Sequence, residues 1–384
     1  MNFDRTEEQQ LLAASIARFV ERDYSFDKRR AILASPEGLS REVWETLAHM
    51  GLLGLSLPAD HGGFDGGALD AMALMEAIGG ALVVEPWLAT VALAARLVAR
   101  HGSDDQKRRL LPAVTAGRVL LAFAHAEDDA RHALAHVATR AEERGGDYVL
   151  SGTKRAVANA AAADTLVVSA RTSGGDTDAE GISLFLVERA TPGLATRALR
   201  MLDGTRAADV VLDAVRVPLD ARIGTPGGTL APIEEVVDFA TALLCAEAVG
   251  AIGSANEATL DYLRTRKQFG VPIGDFQALQ HRMVDLAIEL EQVKSMAHLA
   301  CAAVDADADA DALRRARTVS AAKVRVADAC RRVSQESVQL HGAMGMSDEL
   351  KVSHTFRRLT AIAQQFGDAD HHLQRLARLA RVSQ

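Results

Sequence analysis

Aromatic residues are scarce in this chain, only 4% of 384 residues, while alanine and leucine abound. That balance favours helix over sheet for most of the length. Cysteine is nearly absent: Cys245, Cys301 and Cys330 are far apart and form no C-x-x-C pair, so they read as small buried residues in a reducing cytoplasm. An excess of positive charge is missing too. The formal net charge is −8 and the basic residues are dispersed, which argues against nucleic acid as the main partner, although the C-terminal "HLQRLARLARVS" is locally basic. No apolar run is expected to span a membrane. The opening "MNFDRTEEQQLLAASIARFV" sets acidic residues before its apolar part and lacks a small-residue cleavage site, unlike a signal peptide. G-x-S-x-G, a P-loop and a G-x-G-x-x-G after a strand are all lacking, which leaves nucleophile-elbow hydrolase and Rossmann readings unsupported.

What is present changes texture twice. Residues 1–118 carry helical periodicity, with Thr6, Ser40 and Ser103 placed as N-caps and a Gly-rich loop, "GLLGLSLPADHGGFDGG", between helices. Residues 119–228 hold short β-rich runs such as "VLLAFAHAE", "YVLSGTKRAVANA", "DTLVVSAR" and "GISLFLVE", separated by Gly, Asp and Asn, which predicts a mostly antiparallel β domain. From 229 to 384 long helical segments with short links predict an antiparallel bundle. The length suits two or three packed domains.

Some motifs carry little chemistry. "DADADAD", residues 305–311, repeats Asp at alternate positions, but a calcium loop needs Gly at its sixth position and Glu at its twelfth, where this chain has Ala310 and Ala316. It reads as an interhelical linker. His132 and His136 have i, i+4 spacing in a segment that is not helical, and the adjacent His371 and His372 diverge on a helix, so no metal site is expected.

The densest chemistry lies in "DYLRTRKQFGVPIGDFQALQH", residues 261–281, where Gly270, Pro272 and Gly274 break a helical pattern. Arg266, Lys267, Gln268, Phe269, Gln277, Gln280 and His281 gather around that break. The stretch resembles the signature R-x-Q-F-G-x-P-I-G-x-F-Q-x-x-Q-H of the acyl-CoA dehydrogenase family. "MGLLGLSLPADHGGFDGG", "LSGTKRAVANAAAADTLVVSAR" and "SQESVQLHGAMGMSDELKVSHTFRRL" agree with it in order, so the resemblance covers essentially the whole chain. It implies a mainly α fold with an N-terminal helical domain, a β-barrel-like middle domain and a C-terminal four-helix bundle. It also implies FAD-dependent oxidation of an acyl-CoA thioester between its α and β carbons, in an oligomer, with electron-transferring flavoprotein as acceptor. By the same resemblance Arg266 meets the FAD pyrophosphate, Gln268, Phe269 and Gln277 line that pocket, and Gln339 with the backbone of His341, Gly342 and Ala343 approaches the dinucleotide. Ala126 and Ala158 fall at the positions that touch the flavin ring.

The chain departs from the family pattern in two places. "AFAHAEDDARHA" stands for A-x-T-E-P-x-A-G-S-D, with Ala126 at the Thr and the Gly-Ser pair gone; "KRAVANA" puts Ala156 at a Trp and Ala158 at a Thr. Flavin contacts there must come from backbone N–H groups. The usual catalytic base of Y-E-G-T is replaced by Phe366, with Gly367 retained. Other members place a base on the first long bundle helix, where this chain has Ala240. Two turns along the same face lies Glu247, a carboxylate in an apolar helix; burial without a partner would raise its pKa and suit it as a base. A structural Glu247, hydrogen-bonded or paired with an arginine, is the alternative. Asp368 is the runner-up base, or equally a helix cap. The wording of several segments is similar to the small subunits of pimeloyl-CoA dehydrogenases and like bacterial paralogues. That implies medium-chain or dicarboxylic acyl-CoA and a heteromer with a larger paralogue, in which this subunit either supplies the base or only completes its partner's FAD site.

Overall fold

Each of the three expected caps forms. Thr6 and Ser103 accept the N–H of the third helical residue, and Gln9 and Gln106 reach back to the cap N–H, closing capping boxes on α1 (Glu7–Asp23) and on Asp104–Thr115. Between these lie α2 (Phe26–Ala34), α3 (Arg41–His49, capped by Ser40) and α4 (Ala68–Ala81). A π-helical stretch, Leu88–Ala95, runs into α5 (Arg96–His101) and precedes α6 (Asp104–Thr115). The computed structural model describes residues 6–306 and 312–382. The linker residues 307–311 lie outside the described residues, but Asp305 at its edge accepts the Ala68 and Leu69 N–H groups at 2.6 and 2.8 Å, which caps α4.

The β region is one sheet of eight strands. They are β1 (Leu121–Ala124), β2 (Arg140–Arg144), β3 (Asp147–Ala158), β4 (Thr165–Arg171), β5 (Ile182–Glu188), β6 (Leu194–Arg200), β7 (Arg206–Pro218) and β8 (Arg222–Ile223). The order is β6-β7-β3-β2-β4-β5-β8, with β1 parallel to β4. Pairing is otherwise antiparallel except for one parallel β2–β4 pair, as the mostly antiparallel reading expects. Strand β6 has no signature in the sequence: it is an edge strand whose residues are all exposed or half-buried, so it lacks the apolar run that betrays a strand. The core of the sheet is mostly aliphatic, around Leu150, Leu166 and Val210, with Tyr148 and Phe185 packed edge to face within it.

The bundle comprises α7 (Leu230–Thr265), α8 (Gln277–Asp305), α9 (Ala312–His341), α10 (Lys351–Gln364) and α11 (Ala369–Val382). The sequence reading carried α7 to residue 268. It stops at Thr265 because Lys267–Gln268 (β9) and Val271–Pro272 (β10) pair as a hairpin. The expectation of no membrane-length apolar run needs correcting: a window of α7 reaches a mean hydropathy of 1.7, and 89% of it is buried in the fold. Two glycines let α4 cross α7 at backbone distance. A Cβ on Gly79 would overlap the Glu247 carbonyl oxygen, and one on Gly250 the Glu76 carbonyl oxygen. By contacts the chain forms two compact units. Residues up to 31, 68–84 and 241 onward make the first, and 32–67 with 85–240 the second, so the first helical segment contributes to both.

Candidate active site

The elbow expected after α7 is a tight hairpin. Its two-residue turn is Phe269 (φ +55°) and Gly270 (φ +84°), the left-handed pair of a type I′ turn. Glycine adopts that shape at no cost, whereas phenylalanine is strained in it. Phe269 is also 91% exposed, with Phe276 as an edge-on neighbour at 6.1 Å. Arg266, Gln268 and Gln277 are exposed as well. Ile273 N–H donates to the Arg266 carbonyl at 2.8 Å, which folds the start of α8 back beside the arginine. Gln277 opens that 29-residue helix, and no side chain among the described residues caps its N-terminus. Among the described residues no side chain pairs with the Arg266 guanidinium. An unpaired guanidinium suits a pyrophosphate, and an exposed ring suits a purine or a neighbouring chain.

The end of α9 joins this elbow. The His341 imidazole stacks on Tyr262, one turn before Arg266, with ring centroids 4.5 Å apart, and its Nδ1 meets the Ser337 carbonyl at 2.8 Å. Gly342 (φ +59°) ends α9 in the left-handed conformation, with open space where a Cβ would lie. Gln339, Gly342 and Ala343 are exposed, and His341 is buried. The fold therefore brings the two stretches "RTRKQFG" and "QLHGAMG" together on one unit.

Ala126 and Ala158 lie in the other unit, both exposed. The Arg155 N–H donates to the Ala126 carbonyl at 2.7 Å, so the end of β1 and the bulge in β3 sit side by side. Ala156 in that bulge has φ +46°, and its N–H donates to Asp209 at 3.0 Å. Beneath them runs a buried charged network that sequence reasoning missed. Lys154, fully buried, donates to Glu127 Oε1 at 2.7 Å and Ser169 Oγ at 2.9 Å. Glu127 also accepts from Ala138 N, Thr139 N and Thr139 Oγ1, at 2.6, 3.1 and 2.7 Å. Burial works against ionising Glu127, but the Lys154 ammonium and these donors outweigh it and bring its pKa down to about 2. Burial lowers the pKa of Lys154 to about 8 against the pull of Glu127, and burial with the Lys154 charge lowers that of His125 to about 3. The available signal was Glu127 directly after Ala126, and Lys154 four residues before Ala158.

The carboxylates proposed as bases have other partners. Glu247 is 3% exposed, and both its oxygens are held by Arg358, Oε1 by Nε at 2.5 Å and Oε2 by a terminal nitrogen at 2.8 Å. The structure thus realises the arginine-paired alternative, and the premise of an unpartnered buried acid fails. Asp368 accepts the His371 N–H at 2.8 Å and caps α11. Phe366 holds φ +60° in a loop pinned from two sides. Lys323 donates to the carbonyls of Ile362, Ala363 and Gly367 at 3.0, 3.2 and 2.7 Å, and the His372 ring meets the Phe366 carbonyl at 3.1 Å.

Models of the acyl-CoA dehydrogenase N-terminal, middle and C-terminal domains match residues 6–118, 122–215 and 230–380. Acyl-CoA dehydrogenase FadE12 of Mycobacterium tuberculosis (strain ATCC 25618 / H37Rv) is 30% identical over 94% of this chain and 93% of its own. The ChsE4-ChsE5 complex from Mycobacterium tuberculosis superposes with TM-score 0.89 at 26% identity, covering 99% of each chain. PigA with FAD and proline superposes with TM-score 0.90 at 26% identity, covering 100% of each. N-terminal helices, middle sheet and C-terminal long-helix bundle, matched by all three domain models, together define a flavin-dependent dehydrogenase. The chain belongs to the acyl-CoA dehydrogenase family, oxidoreductases whose cofactor is FAD.

Proposed function

We propose that the chain is one subunit of an oligomeric acyl-CoA dehydrogenase that desaturates a medium-chain or dicarboxylic acyl-CoA between its α and β carbons. The observation that carries this reading is the elbow: a strained, exposed Phe269 three residues from an unpaired Arg266, in the hairpin between α7 and α8. FAD supplies the hydride acceptor when bound. Arg266 would hold the pyrophosphate of a neighbouring subunit's FAD, with Gln268, Phe269, Gln277, Gln339 and the His341–Ala343 backbone around the rest, and the backbone at Ala126 and Ala158 would meet the ring of the chain's own FAD. The elbow projects from its own unit, which suits a site completed by a neighbouring chain. The ChsE4-ChsE5 relative is named as a complex of two different chains, and this supports a heteromer with a larger paralogue. Electron-transferring flavoprotein as acceptor and a cytoplasmic location complete the reading.

A second reading rests on a specific observation. Phe366 takes no proton, Glu247 is committed to Arg358 and Asp368 caps a helix. In that reading the chain completes its paralogue's FAD site without itself supplying the base. The chain purified alone, and then with its paralogue, separates the two in the visible spectrum during titration with an acyl-CoA series. Bleaching of flavin by the chain alone, abolished in Glu247→Gln, supports the catalytic reading. A colourless chain that supports turnover only beside its paralogue supports the second. Flavin bound by neither preparation contradicts both.

A further inference from the structure

The loop that follows Ala126 carries a side chain on a backbone shaped for glycine. Arg131 has φ +46° and ψ −106°, a conformation costly for any residue with a Cβ. The loop has no freedom to relax it. Arg171, itself buried, donates to the Val137 and Ala135 carbonyls at 3.1 and 2.7 Å, and through Glu180, Asp176 and Asp178 carbonyls ties this loop to the 172–181 turn. Glu127 fixes Ala138 and Thr139, and Lys154 fixes Glu127. At the near end Asp128 is taken by Arg155, at 2.8 Å. Buried charges thus brace both ends of the loop and hold its tip in a strained shape. At that tip the Arg131 side chain is exposed, and among the described residues no group pairs with it. Strain maintained at an exposed, unpaired cation serves no packing purpose.

We propose that Arg131 is a specificity-determining residue that binds an anionic group of the thioester substrate, a phosphate of its coenzyme A or a carboxylate at the far end of its acyl chain. The inference rests on the acyl-CoA reading above. The guanidinium offers a planar pair of N–H donors that fits either oxyanion. The brace removes the ordering cost that a mobile loop would incur on binding. Because the contact is exposed, its contribution declines as ionic strength rises.

The test compares wild type with Arg131→Gln and Arg131→Gly on the assembled, FAD-loaded protein. Steady-state kinetics use a monocarboxylic acyl-CoA, a dicarboxylic acyl-CoA and an acyl-pantetheine thioester; calorimetry uses free coenzyme A and pantetheine. The expected result is a roughly tenfold rise in KM with kcat unchanged in both variants. Recognition of phosphate weakens coenzyme A binding in calorimetry and leaves the pantetheine thioester unaffected. Recognition of carboxylate confines the penalty to the dicarboxylic substrate. Arg131→Gly relieves the strained backbone, so its Tm stays or rises, which separates lost binding from lost folding. Unchanged KM for every substrate and unchanged coenzyme A affinity would overturn the assignment to Arg131. Failure of wild type to turn over any thioester would instead count against the acyl-CoA reading, and the calorimetry with coenzyme A would still decide for or against phosphate binding by Arg131.

Discussion

Glu127 shows how one side chain couples folding to the site. It is buried, yet its pKa falls from an ordinary 4.5 to about 2, because Lys154, Thr139 and the Ala138 N–H favour the ionised form more than burial opposes it. Its folded pKa lies below the unfolded value, so the unfolded chain binds more protons in that window. The stability it contributes is present above pH 4.5 and is lost as pH falls through about 2. Relative to Glu127→Gln, wild type therefore loses roughly 2 kcal/mol more stability between pH ~6 and pH ~3. Urea unfolding of both proteins at those two pH values measures the difference; parallel curves would show that Glu127 is not ionised against Lys154. Glu247 makes the complementary point. Burial alone suggested a poised base, but both oxygens of the carboxylate are held by the Arg358 guanidinium. No single-sequence pattern links 247 to 358, which are far apart in the chain and meet only across the bundle.

Among the elements, the contact of α4 and α7 depends on Gly79 and Gly250, where a Cβ would overlap a backbone carbonyl of the opposite helix. Backbone cannot swing aside as a side chain can, so Gly250→Ala should cost about 3 kcal/mol, read as a lowered urea midpoint. An unchanged midpoint would mean that the helices separate freely. Those glycines were visible in "AIGGAL" and "EAVGAIG", but nothing local distinguishes a packing glycine from a weak helix former. Legibility in general followed how local the cause was. Thr6, Ser40 and Ser103 were readable as caps because the donor lies three residues away in sequence. The strands with buried apolar runs, β3, β4, β5 and β7, were readable too. The π-helical stretch at Leu88–Ala95, the edge strand β6 and the hairpin that ends α7 were not, since each depends on partners distant in sequence or on turn geometry. The site divided in the same way: Arg266 and Phe269 stood out from a contiguous motif, whereas Lys154, Glu127, Arg171 and Arg131 form one structure only after the sheet has folded.

At the scale of the whole molecule, the chain presents a cationic, aromatic elbow that its own unit leaves unsatisfied, and a braced loop on a separate unit. Such a division makes sense if flavin binding and assembly are linked, because any group that binds only the assembled state stabilises it by mass action. The most direct measurement is the affinity for FAD of the assembled protein carrying Arg266→Gln, with wild type beside it and oligomeric state monitored by light scattering. Loss of one charge-assisted pyrophosphate contact predicts an affinity at least tenfold weaker with assembly retained. Equal affinity in the two proteins would contradict the assignment of the elbow to the flavin dinucleotide.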